Sequence, residues 1–175
     1  MIHLITPWSN EKNLGKAYND AFKKVGANDW ICFTDLDAVH TTHFAPLYME
    51  HVIKDNPSYS LFTAVTNRVF NKEQVPFPEY WQVDGMNFHR LTGEQLWKDK
   101  GVLVTDAKSL ISGVVILTSK KAWKACGGFK DGMLGVDNEY DKSIRAAGLK
   151  TGIMQGIYVQ HFYRNGDTWN KAHLK

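Results

Sequence analysis

Residues 30–37 read Trp30-Ile31-Cys32-Phe33-Thr34-Asp35-Leu36-Asp37. An apolar run of strand character ends abruptly in two carboxylates. Aspartate is a poor strand residue, so the pair marks where the strand stops. In open α/β sheets, ligands bind in the crevice beyond the carboxyl ends of the strands. Asp35 and Asp37 would stand there, and hard divalent cations take carboxylate oxygens. The pair points to a metal and ribose site. The plain alternative is a turn with two solvated acids, and an Asp-x-Asp triplet alone does not choose between them.

Upstream, Ile2 to Thr6 reads as a short buried strand stopped by Pro7. Leu14, Ala17, Tyr18, Ala21, Phe22 and Val25 recur at three- and four-residue spacing, which predicts an amphipathic helix. Ser9 or Asn10 can cap its start, and Gly26 fits its end. With the strand at Trp30 to Thr34 this is a β-α-β unit, with parallel strands and a right-handed connection. The loop Thr6-Pro7-Trp8-Ser9 and the Asp35/Asp37 pair then emerge at one edge of the sheet and share one crevice.

Downstream, a helix is predicted from about Pro46 to Lys54, with Pro46 in its first turn. Tyr59 to Thr66 is the next strand. Segment 67–111 reads as irregular and aromatic-rich, with a short helix near Glu94 to Lys98 behind a Thr92-x-x-Gln95 capping box. Gly113 to Thr118 is a strand, and Ser119 to Cys126 a short helix closed by Gly127-Gly128. A helix over Asp137 to Ala147 is closed by Gly148. Thr151 to Val159 is the last strand, with His161 just past its end.

The 175 residues fit one domain with a real core. The composition is 43% hydrophobic and 22% charged, ordinary for a globular chain. A net charge of +3 does not call for a nucleic-acid partner but tolerates a phosphate-bearing ligand. Cys32 and Cys126 sit in apolar contexts and suggest no disulfide framework. A reducing, cytoplasmic setting is the simplest expectation. The first apolar run is too short for a signal peptide, and none approaches the ~20 residues of a membrane span.

Several groups qualify for chemistry. Asp137 lies at a predicted helix start, where an acid either caps the helix or serves as a general base facing the crevice. His161 is either an ordinary histidine or an imidazole for a metal. Oxygen and nitrogen ligands together suit Mn²⁺ better than Mg²⁺ or Ca²⁺. Asp37-x-x-His40-x-x-His43 is a second possible metal cluster. Together with Asp35 it would serve a metallohydrolase if a helix placed the three on one face. Thr41, Thr42 and Pro46 argue against that helix. Phe77, Tyr80, Trp81, Phe88 and Trp97 either wall an acceptor site or pack their segment onto the sheet. Asn67 and Arg68, just past a strand, either reach a ligand in the crevice or, for Arg68, pair with a surface acid.

The order of these pieces carries a resemblance. Asn13-Leu14-Gly15-Lys16-Ala17-Tyr18-Asn19 followed by Trp30 to Asp37 resembles the N-terminal half of family 2 glycosyltransferases with the A-type fold. Ser112 to Leu117 and Gly127-Gly128-Phe129 look like that family's strand and Gly-Gly-Phe turn. Gly135 to Gly148 looks like its acidic helix, and His161 like its late metal-binding histidine. The matches span the chain except for roughly 67–111.

The resemblance implies a single catalytic domain over 1–175, with a Rossmann-like, mixed, mostly parallel sheet flanked by helices. Residues 1–66 would form the nucleotide-binding half. Segment 67–111 would be the acceptor side, with Tyr80, Trp81, Phe88 and Trp97. Residues 112–175 would complete the catalytic and metal sites. The implied activity is metal-dependent transfer of a sugar from a UDP- or GDP-type nucleotide-diphosphate donor to a glycan or other hydroxyl acceptor. Asp37 and His161 map to metal ligands, with Mn²⁺ favoured over Mg²⁺, and Asp35 maps nearer the ribose. Thr6, Pro7 and Trp8 map to the base-binding loop, where Trp8 would stack on the base, and Lys16 lies near the nucleotide. Ser112 and Gly113 fall on the donor side with Asn67 and Arg68. Asp137 maps to the catalytic base of inverting members. Val136 stands where the family usually has Glu, and Glu139 replaces the second Asp of the motif. A relative that binds nucleotide or carbohydrate without catalysis is the alternative these departures leave open.

Overall fold

A computed structural model of the chain describes residues 1–162. The chain is α/β, with a seven-stranded open mixed sheet flanked by helices. The strands are β1 (Ile2–Ile5), β2 (Trp30–Thr34), β3 (Ala38–His40), β4 (Tyr59–Thr66), β5 (Val104–Asp106), β6 (Val115–Ser119) and β7 (Lys150–His161). The helices are α1 (Leu14–Lys23), α2 (Ala45–Asp55), α3 (Met86–Lys100), α4 (Lys120–Ala125) and α5 (Val136–Ala146). The sheet order is β1-β2-β6-β4-β7-β3, with β5 added against β7.

The first β-α-β unit forms as its spacing predicts, and β1 and β2 pair in parallel with Ile5 opposite Phe33. The cap of α1 differs from expectation. Asn13 fills the position, its side chain accepting the Lys16 amide, while Ser9 Oγ accepts the Asn13 amide at 2.9 Å. α1 buries Gly15, Tyr18 and Phe22, and α2 buries Ala45, Met49 and Val52. Both sets follow the three- and four-residue helical repeat.

β1, β2, β4 and β7 run in one direction. β6 lies antiparallel between β2 and β4, and β7 continues parallel to β4. Fully buried strands on both faces divide the core. Phe22, Phe33, Ile116, Tyr140 and Ile144 fill one side under α1, α4 and α5. Met49, Val52, Phe62, Leu117 and Val159 fill the other under α2.

Segment 67–111 is more regular than its sequence suggests. It holds two short 3₁₀ turns, Lys72–Gln74 and Pro78–Gln82, the 15-residue α3, and β5. Thr92 sits in mid-helix and donates back to the Phe88 carbonyl at 3.0 Å, so it caps nothing. The buried positions of α3 are His89, Gly93 and Leu96, a helical stripe with little apolar signal. β7 runs longer than expected and includes His161 as its last residue. No helix among the described residues is long and apolar enough to cross a membrane.

Candidate functional site

The site is built where β2 ends. The chain leaves β2 at Thr34, passes Asp35 to Asp37, and re-enters the sheet at its opposite border as β3. β3 pairs antiparallel with the end of β7, setting Ala38 opposite His161. The Phe162 amide donates to the Asp37 carbonyl at 2.8 Å and extends that ladder. Strand pairing thus brings Asp37 beside a residue far away in sequence. Ligand-capable atoms of Asp35, Asp37 and His161 lie within 4.8 Å of one another. His161 Nε2 is 3.3 Å from Asp37 Oδ1.

Each member has a distinct setting. His161 is buried, and its Nδ1 faces the Arg68 carbonyl at 2.7 Å. A carbonyl only accepts, so Nδ1–H donates to it, and Nε2 is the nitrogen turned toward Asp37. Asn67 Oδ1 takes the His161 backbone N–H at 2.8 Å. The hydrogen bond to His161 holds the Asp37 carboxyl below its ordinary range. Burial pushes the Asp35 carboxyl up to about 6, against the opposing pull of His161. Two carboxylates and one imidazole make a donor set that fits a divalent ion of the Mn²⁺ kind.

Asp137 enters the same region from α5. The N-cap of that helix is Gly135, in the left-handed region at φ 71°, and no side chain caps it. The Asp137 carboxylate instead takes the Gly113 amide across the chain at 2.7 Å. The neighbouring Val114 carbonyl takes the Asp35 amide at 3.1 Å. Asp35 and Asp137 therefore flank the same two-residue step before β6. A second oxygen of Asp137 has no hydrogen-bond partner among the described residues.

The predicted donor residues divide into groups. Thr6, Pro7, Trp8 and Lys16 line one hollow of about 620 Å³ with His3, Ile5 and the outer side of α1. Trp8 is 71% exposed, and its ring N–H donates to Asn10. Lys16 pairs with Asp20 at 3.0 Å. Ser112 is held at both ends of its peptide by Gln74. The Arg68 guanidinium is buried and engages the Trp81 carbonyl and Asp84. It braces segment 81–84, while its own carbonyl orients His161.

The acceptor-side aromatics also separate. Tyr80 lies 4.8 Å from both Phe77 and Phe88, and Phe88 is exposed. Trp81 is buried at 2% exposure and cannot face a sugar. Trp97 stacks on Tyr48 at 3.8 Å and packs with the core under α2. Phe77 likewise packs against the core, so of the five only Tyr80 and Phe88 are left as candidates for a surface wall.

His40 and His43 do not form a helical cluster with Asp37, because residues 38–40 are strand. His40 Nε2 bonds Thr34 Oγ1 at 2.9 Å, and both histidines line a separate hollow of about 440 Å³. Among the described residues, the three-member group with metal-binding reach is Asp35, Asp37 and His161. Glu139, the altered motif position, pairs with Lys130 and Lys142 at the surface.

Sequence reasoning placed Asn19 in a motif but gave it no role. Its side chain takes both the Trp123 ring N–H and the Phe129 amide, and it donates to the Phe129 carbonyl. Those bonds fasten the Gly127-Gly128-Phe129 turn to α1. The signal available was an asparagine inside an amphipathic helix, facing its apolar side. No family model matches the chain, and neither does any curated protein.

Proposed function

We propose that this protein is a metal-dependent glycosyltransferase using a nucleotide-diphosphate sugar. The observation that carries the reading is the meeting of Asp35, Asp37 and His161 beside Asp137 at one edge of the sheet. Asp35, Asp37 and His161 would hold a divalent cation, which would offset the negative charge on a departing diphosphate. The Arg68 carbonyl takes His161 Nδ1, which directs Nε2 toward Asp37 and the cluster. Asp35, the more buried acid, feels the charge of Asp137 and would face the sugar between them.

Asp137 has the geometry of a general base. One oxygen is anchored on the Gly113 amide, which fixes the carboxylate against rotation. The other oxygen is free to take a proton from an attacking acceptor hydroxyl. That attack would come from the face opposite the diphosphate and invert the anomeric carbon. Tyr80 and Phe88 would offer ring surface for an acceptor sugar.

The test is a thermal-shift panel of UDP- and GDP-sugars with and without Mn²⁺, followed by assay of nucleoside diphosphate release. A matching donor at saturation raises the melting temperature by about 5–10 °C, and only with the metal. No shift with any donor, or equal shifts in chelator, overturns the proposal. Metal-dependent binding without release on a broad acceptor panel assigns the chain to the non-catalytic alternative.

A further inference from the structure

Tyr18 stands under the site, and the sequence marks it only as one residue on the apolar face of α1. It is 3% exposed. Its ring packs on Phe33 at 4.5 Å and on Phe129 at 4.6 Å. Phe33 is two residues from Asp35 on β2. Phe129 stacks on Tyr140 at 3.8 Å, and Tyr140 lies one helical turn from Asp137. The phenol is thus wedged between the two elements that carry the acids. Burial first, then the charges of Asp35 and Asp137, push its pKa well up, so the hydroxyl remains a donor.

That hydroxyl has no hydrogen-bond partner among the described residues. Buried tyrosine hydroxyls ordinarily find one, and the other two fully buried tyrosines do. Tyr140 meets Thr118 Oγ1 at 3.1 Å, and Tyr158 meets His89 Nδ1 at 2.8 Å. Among the described residues, the sealed polar atoms without partners belong to His40, Asn67 and Gln160. The Tyr18 oxygen is not among them, so it keeps an opening to solvent. The Asp35 carboxylate likewise accepts no hydrogen bond from a described residue.

The chemistry of the missing group follows. A phenol donor beside carboxylate acceptors asks for a group that accepts from one and donates to the other. A hydroxyl does both. A phosphate would be repelled by the acids. We infer that the Tyr18 hydroxyl binds a sugar hydroxyl of the donor, shared with the flanking carboxylates of Asp35 and Asp137. This rests on the glycosyltransferase reading of the site and adds the residue that separates a nucleotide sugar from its bare nucleotide.

The experiment is calorimetry with Mn²⁺ on wild type and Tyr18→Phe, using UDP and UDP-glucose, then GDP and GDP-mannose. Phenylalanine keeps the ring packing, and a lost fold would weaken every ligand alike. For the pair that wild type binds, Tyr18→Phe should lower nucleotide-sugar affinity roughly tenfold. Nucleoside diphosphate affinity should move less than about twofold. The melting temperature should hold, because the hydroxyl has no partner to lose among the described residues. Equal nucleotide-sugar affinity in the two proteins overturns the role of Tyr18 and leaves the site reading standing. Absence of binding to all four ligands by wild type overturns the site reading, and this inference with it.

Discussion

His161 Nδ1 lies 2.7 Å from the backbone carbonyl of Arg68, and this contact decides which ring nitrogen faces Asp37. The side chain of Arg68 is meanwhile committed to Trp81 and Asp84. One residue therefore braces the aromatic segment and orients the imidazole. Asn67, next in line, holds the His161 backbone. The strand end after β4 thus acts as a support for the end of β7.

Replacing either Asp37 or His161 with alanine should weaken Mn²⁺-dependent binding of a nucleoside diphosphate by ~10- to 100-fold or more. Calorimetry on folded variants reads this directly. Unchanged affinity in Asp37→Ala would remove the cluster from metal binding.

Asp137→Asn should leave nucleotide-sugar binding nearly intact while lowering transfer by ~10²-fold or more. Asparagine can still accept the Gly113 amide through its carbonyl oxygen, so the local fold is kept. Near-normal transfer in this variant would make Asp137 a structural tether and reopen the stereochemistry of the reaction.

Gly113→Ala tests the same contact from the other side. A methyl group there would sit 2.6 Å from Asp137 Cβ, so α5 or the 112–114 segment must shift. The expected cost is about 1–3 kcal/mol in denaturant unfolding, as for overpacking elsewhere. Transfer should fall further than this loss of folded protein explains. A variant of wild-type stability and activity would show that the segment yields freely.

Phe88→Ala and Trp97→Ala should part ways. Phe88 is exposed beside Tyr80, so its loss should raise the acceptor KM and leave the melting temperature within a few degrees. Trp97 is partly buried and stacked on Tyr48, so its loss should cost ~1–3 kcal/mol of stability with little specific effect on KM. The opposite pattern would exchange their assignments.

The start of the sheet carries a pH dependence. Asp29 takes the His3 ring at 2.9 Å and the Gly26 amide at 2.9 Å. The His3 bond first, then the amide, hold its carboxyl down to about 2 from an ordinary 3.8. A depressed carboxyl stabilises the fold above its unfolded value, and the contribution fades as pH falls through the folded one. Asp29→Asn should therefore melt lower than wild type near pH 6, by about 1–3 °C for a partly exposed group. The gap should narrow by pH 3 and in high salt. A gap that widens in acid would contradict the assignment.

Local pattern was enough for part of this molecule. The β-α-β start, β2 over Trp30–Thr34 and β4 over Tyr59–Thr66 follow from apolar runs bounded by turn residues. The placing of Asp35 and Asp37 at a strand end follows as well, because a buried apolar run that meets two acids has nowhere else to stop. α3 was hidden because its buried stripe is His89, Gly93 and Leu96. His89 is buried through bonds to Tyr158 and the Val83 carbonyl, and Gly93 lies against Thr41. Neither gives an apolar signal.

What only the tertiary structure decided is which distant residues meet. β6 enters antiparallel between β2 and β4, and β3 crosses to β7, through backbone hydrogen bonds that carry no side-chain signature. That pairing sets Ala38 opposite His161 and so closes the Asp35, Asp37 and His161 group. The burial of Trp81 and the stacking of Trp97 on Tyr48 were likewise settled by packing, since an aromatic residue serves a core or a surface wall with the same composition. The sequence determined the strand-end acids and the first helix. The meeting of the acids with His161, Asp137 and Tyr18 depended on register, a property of two segments together and of neither alone.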